Sequence, residues 1–276
     1  MATKIFSKKD NSIFRKVILG TLILILIINA LCIYVIGGMA GVYAWNISVL
    51  ILAPLAAISI IPQVLLWIIR IFMKKKIKWN SLFLIISFIS ALPLTIILGN
   101  TIPYPKKQPI ERAIKITNPI KDGIILNSDK LAAHAILPSE CYAYDIVKEP
   151  YLIGSKDLND YGIYMSDVVS PVSGTIIGVE NSEEDVNPNS GAFENDMGNY
   201  VFIEVEETGN YIVLSHLAKG SIPFSVGDTV NEGEYIGKVG NSGISSEPHL
   251  HIQYQKNNPL NVIFPTFAEG LPMIIK

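Results

Sequence analysis

Residues 237–253, GKVGNSGISSEPHLHIQ, decide how the chain is read. A glycine-rich turn around Asn241-Ser242-Gly243 leads to Pro248, which ends the irregular segment just before a run that reads as a strand. Residues two apart on a strand share a face, so His249 and His251 project together with Cα atoms roughly 6 to 7 Å apart. That separation suits two jobs at one site, one ring on a metal and the other beside it facing a substrate. The pair alone is a weak signal, equally the mark of two half-exposed strand histidines. The flanking turn gives it weight.

Outward from this stretch, short runs rich in β-branched and aromatic residues recur between Gly, Pro, Asn and Asp: 123–126, 142–147, 174–179, 200–205, 211–214, 235–239 and 250–254. No window there carries a sustained 3.6-residue stripe, which predicts an all-β domain of sandwich or barrel type. Residues 180–199, ENSEEDVNPNSGAFENDMGN, read as a long acidic loop.

The first hundred residues are of another kind. Between residues 17 and 69 there is no Asp, Glu, Lys, Arg or His, and residues 79–105 form a second uncharged run. An aqueous helix would need a polar face in such a length. About 20 residues cross the hydrocarbon core, so three transmembrane helices are predicted at 17–36, 47–69 and 80–99, with a turn over 37–46. A cleaved signal peptide fits less well, because apolar spans follow one another in series. Lys4, Lys8, Lys9, Arg15 and Lys16 precede the first span, and Arg70, Lys74, Lys75, Lys76 and Lys78 lie between the second and third. These clusters place the N-terminus in the cytoplasm and residues 101–276 outside the cell membrane. Residues 1–100 are then an anchor in the lipid bilayer, 101–115 a linker and 116–276 the β domain.

Residues 101–276 hold 12 Lys and Arg against 23 Asp and Glu, a formal balance of 12 − 23 = −11. This argues against nucleic acid as a partner. Cys32 falls in the first span and Cys141 in the β domain, so the two cysteines form no staple.

The remaining ligand types sit in residues 131–147, LAAHAILPSECYAYDIV, and at His216. Asp145 is a carboxylate in an apolar strand, costly there unless paired or bound. Together with SPVSGTIIGV, MGNYVFIE, VGDTVNEGEYI and Ser215-His216-Leu217, the GNSG-to-HLH segment resembles the lysostaphin-type (LytM-like) zinc metallopeptidases over residues 116–254. The resemblance implies a β-sheet core of split-barrel, duplicated hybrid type with a zinc cleft on one face. It implies Asp145 and His251 as zinc ligands and His216 and His249 as the catalytic histidines beside them.

The family's common early motif is H-x-x-x-D, and here Cys141 stands four residues before Asp145. Cys141 could supply a thiolate, though on a straight strand it would lie roughly 13 Å from Asp145. His134, eleven residues before the Asp, is the expected ligand, because a branch of the family resembles the HAILPSECYAYDIV layout. The implied activity is hydrolysis of peptide bonds in peptidoglycan, stem or cross-bridge, by a zinc-activated water with a histidine as base. Two other classes remain open: a non-catalytic LytM-like module that regulates wall enzymes, and a sugar-phosphotransferase carrier, whose chemistry is cytoplasmic.

Overall fold

The computed structural model describes residues 8–73, 81–97, 99, 102–127, 132–188, 196–262 and 267–276. Two compact units divide at Pro105.

In the first unit, α1 (Lys8–Leu31) extends through a looser turn to Ile36. Gly37, with φ 69°, breaks the chain, and helix resumes at once: α2 (Gly38–Ile47), a turn at Ser48–Leu52, and α3 (Ala53–Phe72). The turn expected over residues 37–46 is therefore confined to Gly37 and Gly38, both at positive φ (69° and 56°), and helix runs on from there. Lys16–Ile36 and Gly38–Phe72 are long and apolar enough to cross a membrane. The second, at 35 residues, is about 52 Å long at 1.5 Å per residue. The expected third span does not form one helix of that kind. It divides into α4 (Ser81–Ala91) and α5 (Leu94–Ile97) at Pro93, which lacks an N–H and crowds the carbonyl four residues back. Asn80 and the basic residues Lys4, Lys74, Lys75, Lys76 and Lys78 lie outside the described residues.

Side chains such as Phe72 (82% exposed) and Val35 (69%) turn outward from these helices. Two side-chain hydrogen bonds cross where α3 meets α4: Ser59 Oγ donates to Ser87 Oγ at 3.1 Å, and Gln63 Nε2 to the same oxygen at 3.3 Å.

The second unit is built on β-structure. Its strands are β1 (Ile114–Ile116), β2 (Ile124–Asn127), β3 (Tyr144–Val147), β4 (Asp167–Val169), β5 (Gly174–Glu180), β6 (Asn199–Val205), β7 (Tyr211–Leu217), β8 (Thr229–Val230), β9 (Tyr235–Lys238), β10 (Leu250–Gln255) and β11 (Met273–Ile275). Seven form one antiparallel sheet in the order β2-β3-β10-β7-β6-β5-β8, while β1 pairs with β11 and β4 with β9. One short helix, α6 (Ala132–Ile136), precedes β3.

Alternation on β10 divides its residues between two environments. Leu250, Ile252 and Tyr254 enter an aliphatic core with Ile146, Ile203, Ile212 and Leu214, where each buried Leu or Ile contributes about 1.5–3 kcal/mol. His251, Gln253 and Gln255 occupy the opposite face and are also buried. The seven-stranded sheet thus has a core face and a polar face, and β10 lies between β3 and β7 to bring their polar residues together.

Residues 106–115, read as linker, belong to this unit. Gln108 donates its backbone N–H to Tyr142 Oη and accepts from the same hydroxyl, and its Nε2 donates to Glu269 Oε1 at 2.9 Å. The acidic segment 180–199 is held at both described ends. Asn199 is fully buried; its Oδ1 accepts from Glu183 N, and its Nδ2 donates to Glu183 C=O and Leu217 C=O.

Candidate metal centre

Register places the site. His251 on β10 is directly opposite Asp145 on β3, and its other neighbour is Ser215 on β7, next to His216. His134, near the end of α6, reaches the same point. His251 Nδ1 lies 3.2 Å from Asp145 Oδ1, and His134 Nε2 lies 3.6 Å from Asp145 Oδ2. The two imidazoles meet edge to face with centroids 4.8 Å apart. One ligand atom from each of His134, Asp145 and His251 lies within 4.8 Å of the other two.

Two more rings flank this group. His249 Nε2 is 3.7 Å from Asp145 Oδ1, and the His216 ring centre is 4.7 Å from that of His249 and 6.2 Å from that of His251. His249 reaches the group by alternation, but His216 needs a backbone device. Between β6 and β7 the register slips by one, with Asn199 opposite Leu217 but Val201 opposite Leu214. The extra residue forms a bulge, which re-aims side chains, and His216 takes φ +63° there. Such a conformation costs a non-glycine residue on the order of 1–3 kcal/mol.

Both flanking rings have a fixed tautomer when neutral. His216 Nδ1–H donates to Ser242 C=O and His249 Nδ1–H to Glu247 C=O, each at 2.8 Å. Backbone carbonyls only accept, so each Nε2 carries a lone pair. The turn supplying these carbonyls is pinned from elsewhere: Ser242 Oγ donates to Leu217 C=O and accepts from Asn199 N, and both Glu247 carboxylate oxygens accept from Leu152 N.

The charge state suits a cation. Burial alone would raise the Asp145 carboxyl, but His249, the hydrogen bond to His251 and His134 outweigh it and hold the group well below the usual carboxylate range. Burial, with His251 nearby, pushes His134 down to about 3, so its ring is neutral. Burial and the neighbouring His249 and His251 also hold His216 well below its ordinary value. For His251 burial is opposed by the hydrogen bond to Asp145 and by Glu140, and the result is a rise to about 9. The metal-free pocket thus attracts positive charge beside Asp145.

The donor set fits zinc. Ligands bound at about 2.0–2.1 Å around one tetrahedral ion stand roughly 3.3 Å apart; His251 and His134 lie 3.2 and 3.6 Å from the two Asp145 carboxylate oxygens, and the three ligand atoms stay within 4.8 Å of one another. Cys141 is outside the group. Its buried thiol donates to Pro138 C=O at 3.2 Å, and burial pushes it up to about 12, far from the thiolate a metal requires.

Some residues at the site had no sequence signal. Glu140 is buried with Oε2 3.9 Å from His134 Nε2, and burial raises its carboxyl to about 7. Gln253 lies behind His251, with Oε1 2.9 Å from Nε2. An alternating polar position is the signal that could have found Gln253; Glu140 had none.

A buried His, Asp, His group with two further histidines beside it, on the polar face of an antiparallel sheet, is a site of the zinc metallopeptidase type. Residues 161–262 match the model of peptidase family M23, the lysostaphin-like peptidases. The match includes His216, His249 and His251; His134 and Asp145 precede it, Asp145 joining the site through the β3–β10 register and His134 from α6. Over 84 residues the chain is 36% identical to Endolysin 2638A of Staphylococcus phage 2638A, covering 29% of this chain and 17% of that protein. Over 63 residues it is 41% identical to an uncharacterized metalloprotease of Haemophilus influenzae, covering 21% of this chain and 13% of that one. The chain therefore spans less than a fifth of either relative. The catalytic domain of lysostaphin from Staphylococcus simulans aligns at 21% identity and TM-score 0.31, over 47% of this chain and 74% of that domain.

Proposed function

We propose that the chain is a membrane-anchored zinc metallopeptidase that hydrolyses peptide bonds in peptidoglycan, in the stem or the cross-bridge. The observation that carries the reading is the grouping of His134, Asp145 and His251 within 4.8 Å beside two histidines that each present a bare Nε2. His134 Nε2, an Asp145 carboxylate oxygen and His251 Nδ1 would hold the ion. Zinc bound there supplies a Lewis acid that polarises a carbonyl and brings a water pKa down to about 7.

The rest is the work of the protein's own side chains. His216 and His249 stand 4.7 Å apart, close enough to serve one reacting carbonyl from two sides. One accepts the proton of the attacking water at Nε2. The other, once it has taken up a proton at Nε2, donates to the oxyanion or the leaving amine. The carbonyls of Ser242 and Glu247 keep both rings in the tautomer this requires and stabilise the imidazolium that forms.

The peptidoglycan substrate rests on the match to peptidase family M23, and the similarity to a phage endolysin agrees with it. The anchor rests on Lys16–Ile36 and Gly38–Phe72, whose outward apolar side chains need a non-aqueous surrounding. The basic residues flanking them put the N-terminus in the cytoplasm, and a third crossing by the shorter apolar segment Leu82–Ile96 then carries the C-terminal unit to the wall side. The test is incubation of the purified full chain in detergent with isolated peptidoglycan, counting new amino termini. Wild type is expected to release them and His249→Ala and His216→Ala are not. Zinc binding without release from any wall type would overturn the enzymatic reading and favour a regulatory module.

A further inference from the structure

Behind His251 three buried polar groups stand in line. His251 Nε2 lies 2.9 Å from Gln253 Oε1, Gln253 Nε2 donates to Gln255 Oε1 at 2.6 Å, and Gln255 Nε2 donates to Asn257 C=O at 2.6 Å. Gln253 and Gln255 are fully buried and His251 nearly so. Two buried amides on one strand face are costly unless paired, and this line pairs both.

Its direction is set at the far end. A backbone carbonyl can only accept, so the Gln255 amide must turn its NH₂ toward Asn257 and its oxygen toward Gln253. Gln253 must then present its NH₂ to Gln255 and its oxygen to the imidazole. An oxygen there can only accept, so the His251 proton belongs on Nε2. In the neutral ring that a metal requires, the lone pair is then on Nδ1, the nitrogen 3.2 Å from Asp145 Oδ1.

We propose that Gln253 is a positioning residue of the metal centre: with Gln255 and the Asn257 carbonyl it forms a polar relay that fixes His251 as the Nε2–H tautomer and aims Nδ1 at the ion. It touches neither substrate nor metal and acts through His251. Partners behind ligating histidines commonly set ring orientation and basicity, and losing one costs about 10–100-fold in metal affinity. The relay also accounts for two amides on a strand face that is sealed from water. The inference rests on His134, Asp145 and His251 being the metal site.

The test is zinc affinity of the full chain in detergent, by competition with a chromogenic chelator, alongside spectra of protein carrying ¹⁵N-labelled histidine. In zinc-loaded wild type, His251 is expected to carry its proton on Nε2 and to ligate through Nδ1. Gln253→Leu, close in volume but without the acceptor, is expected to bind zinc about 10–100-fold more weakly. Gln253→Glu, which keeps the acceptor, should bind within about threefold of wild type or more tightly. A merely structural role would lower the unfolding temperature of zinc-free Gln253→Leu and leave its zinc affinity unchanged, which overturns the proposal. Ligation through Nε2, or equal loss of zinc in the Glu variant, overturns it too, and both remain readable should the Leu variant fail to fold. Wild type that binds no zinc would instead sink the metal site itself.

Discussion

Replacing Gly198 by Ala should damage the histidine pair while sparing the metal. Gly198 has φ +63°, and a Cβ built on it would fall 2.3 Å from both the carbonyl carbon and Oγ of Ser242 and 2.5 Å from its carbonyl oxygen. A left-handed conformation costs an L-residue about 1–2 kcal/mol. Overpacking against backbone that cannot swing aside adds about 1–3 kcal/mol. The sum, about 2–5 kcal/mol, corresponds to a fall of roughly 5–15 °C in unfolding temperature for a unit of this size. Relief requires Ser242 to move, and its carbonyl is the acceptor that holds His216 Nδ1. A displacement of about 1 Å at a catalytic ring costs on the order of 10²-fold in rate. His134, Asp145 and His251 come from α6, β3 and β10, so zinc content should remain that of wild type. Near-ultraviolet circular dichroism on heating, metal analysis and amino-terminus release would be compared in the two proteins. An unchanged unfolding temperature and rate would refute the reasoning, and so would loss of zinc in step with loss of activity.

His216→Ala and His249→Ala should each retain zinc and lose cleavage by about 10²-fold or more, measured by metal analysis and amino-terminus release on the same preparations. Asn199→Ala removes a buried amide that makes three hydrogen bonds. With unpaired groups left behind at about 1–3 kcal/mol each, it should destabilise the β unit by about 3–5 kcal/mol, read from denaturant unfolding. Cys141 should resist iodoacetamide in the folded protein at pH 8 and react once unfolded, because its thiol is buried and raised to about 12; rapid native alkylation would contradict this.

The parts of the site that follow strand alternation were legible in the sequence. His249 and His251 share a face because they are two apart, and Asp145 in an apolar strand advertised a partner. His134 was reached through resemblance of its spacing, since no local rule carries a histidine eleven residues along a loop back over Asp145. The bulge that turns His216 inward was illegible, because it depends on β7 having one residue more than β6 across the pairing. Gln253 and Gln255 carry no such mark, because amides at alternating strand positions look solvent-facing until the register shows that face covered. In the first unit, composition gave the apolar helices but misplaced their breaks. Gly37 and Gly38 interrupt the first pair, and Pro93 divides what reads as a third crossing.

Zinc per chain, measured in the purified full-length protein with His134→Ala and Cys141→Ala alongside, tests the account most directly. One zinc is expected in wild type and in Cys141→Ala, with none retained after dialysis in His134→Ala. Full zinc in His134→Ala with loss in Cys141→Ala would contradict the metal centre described here.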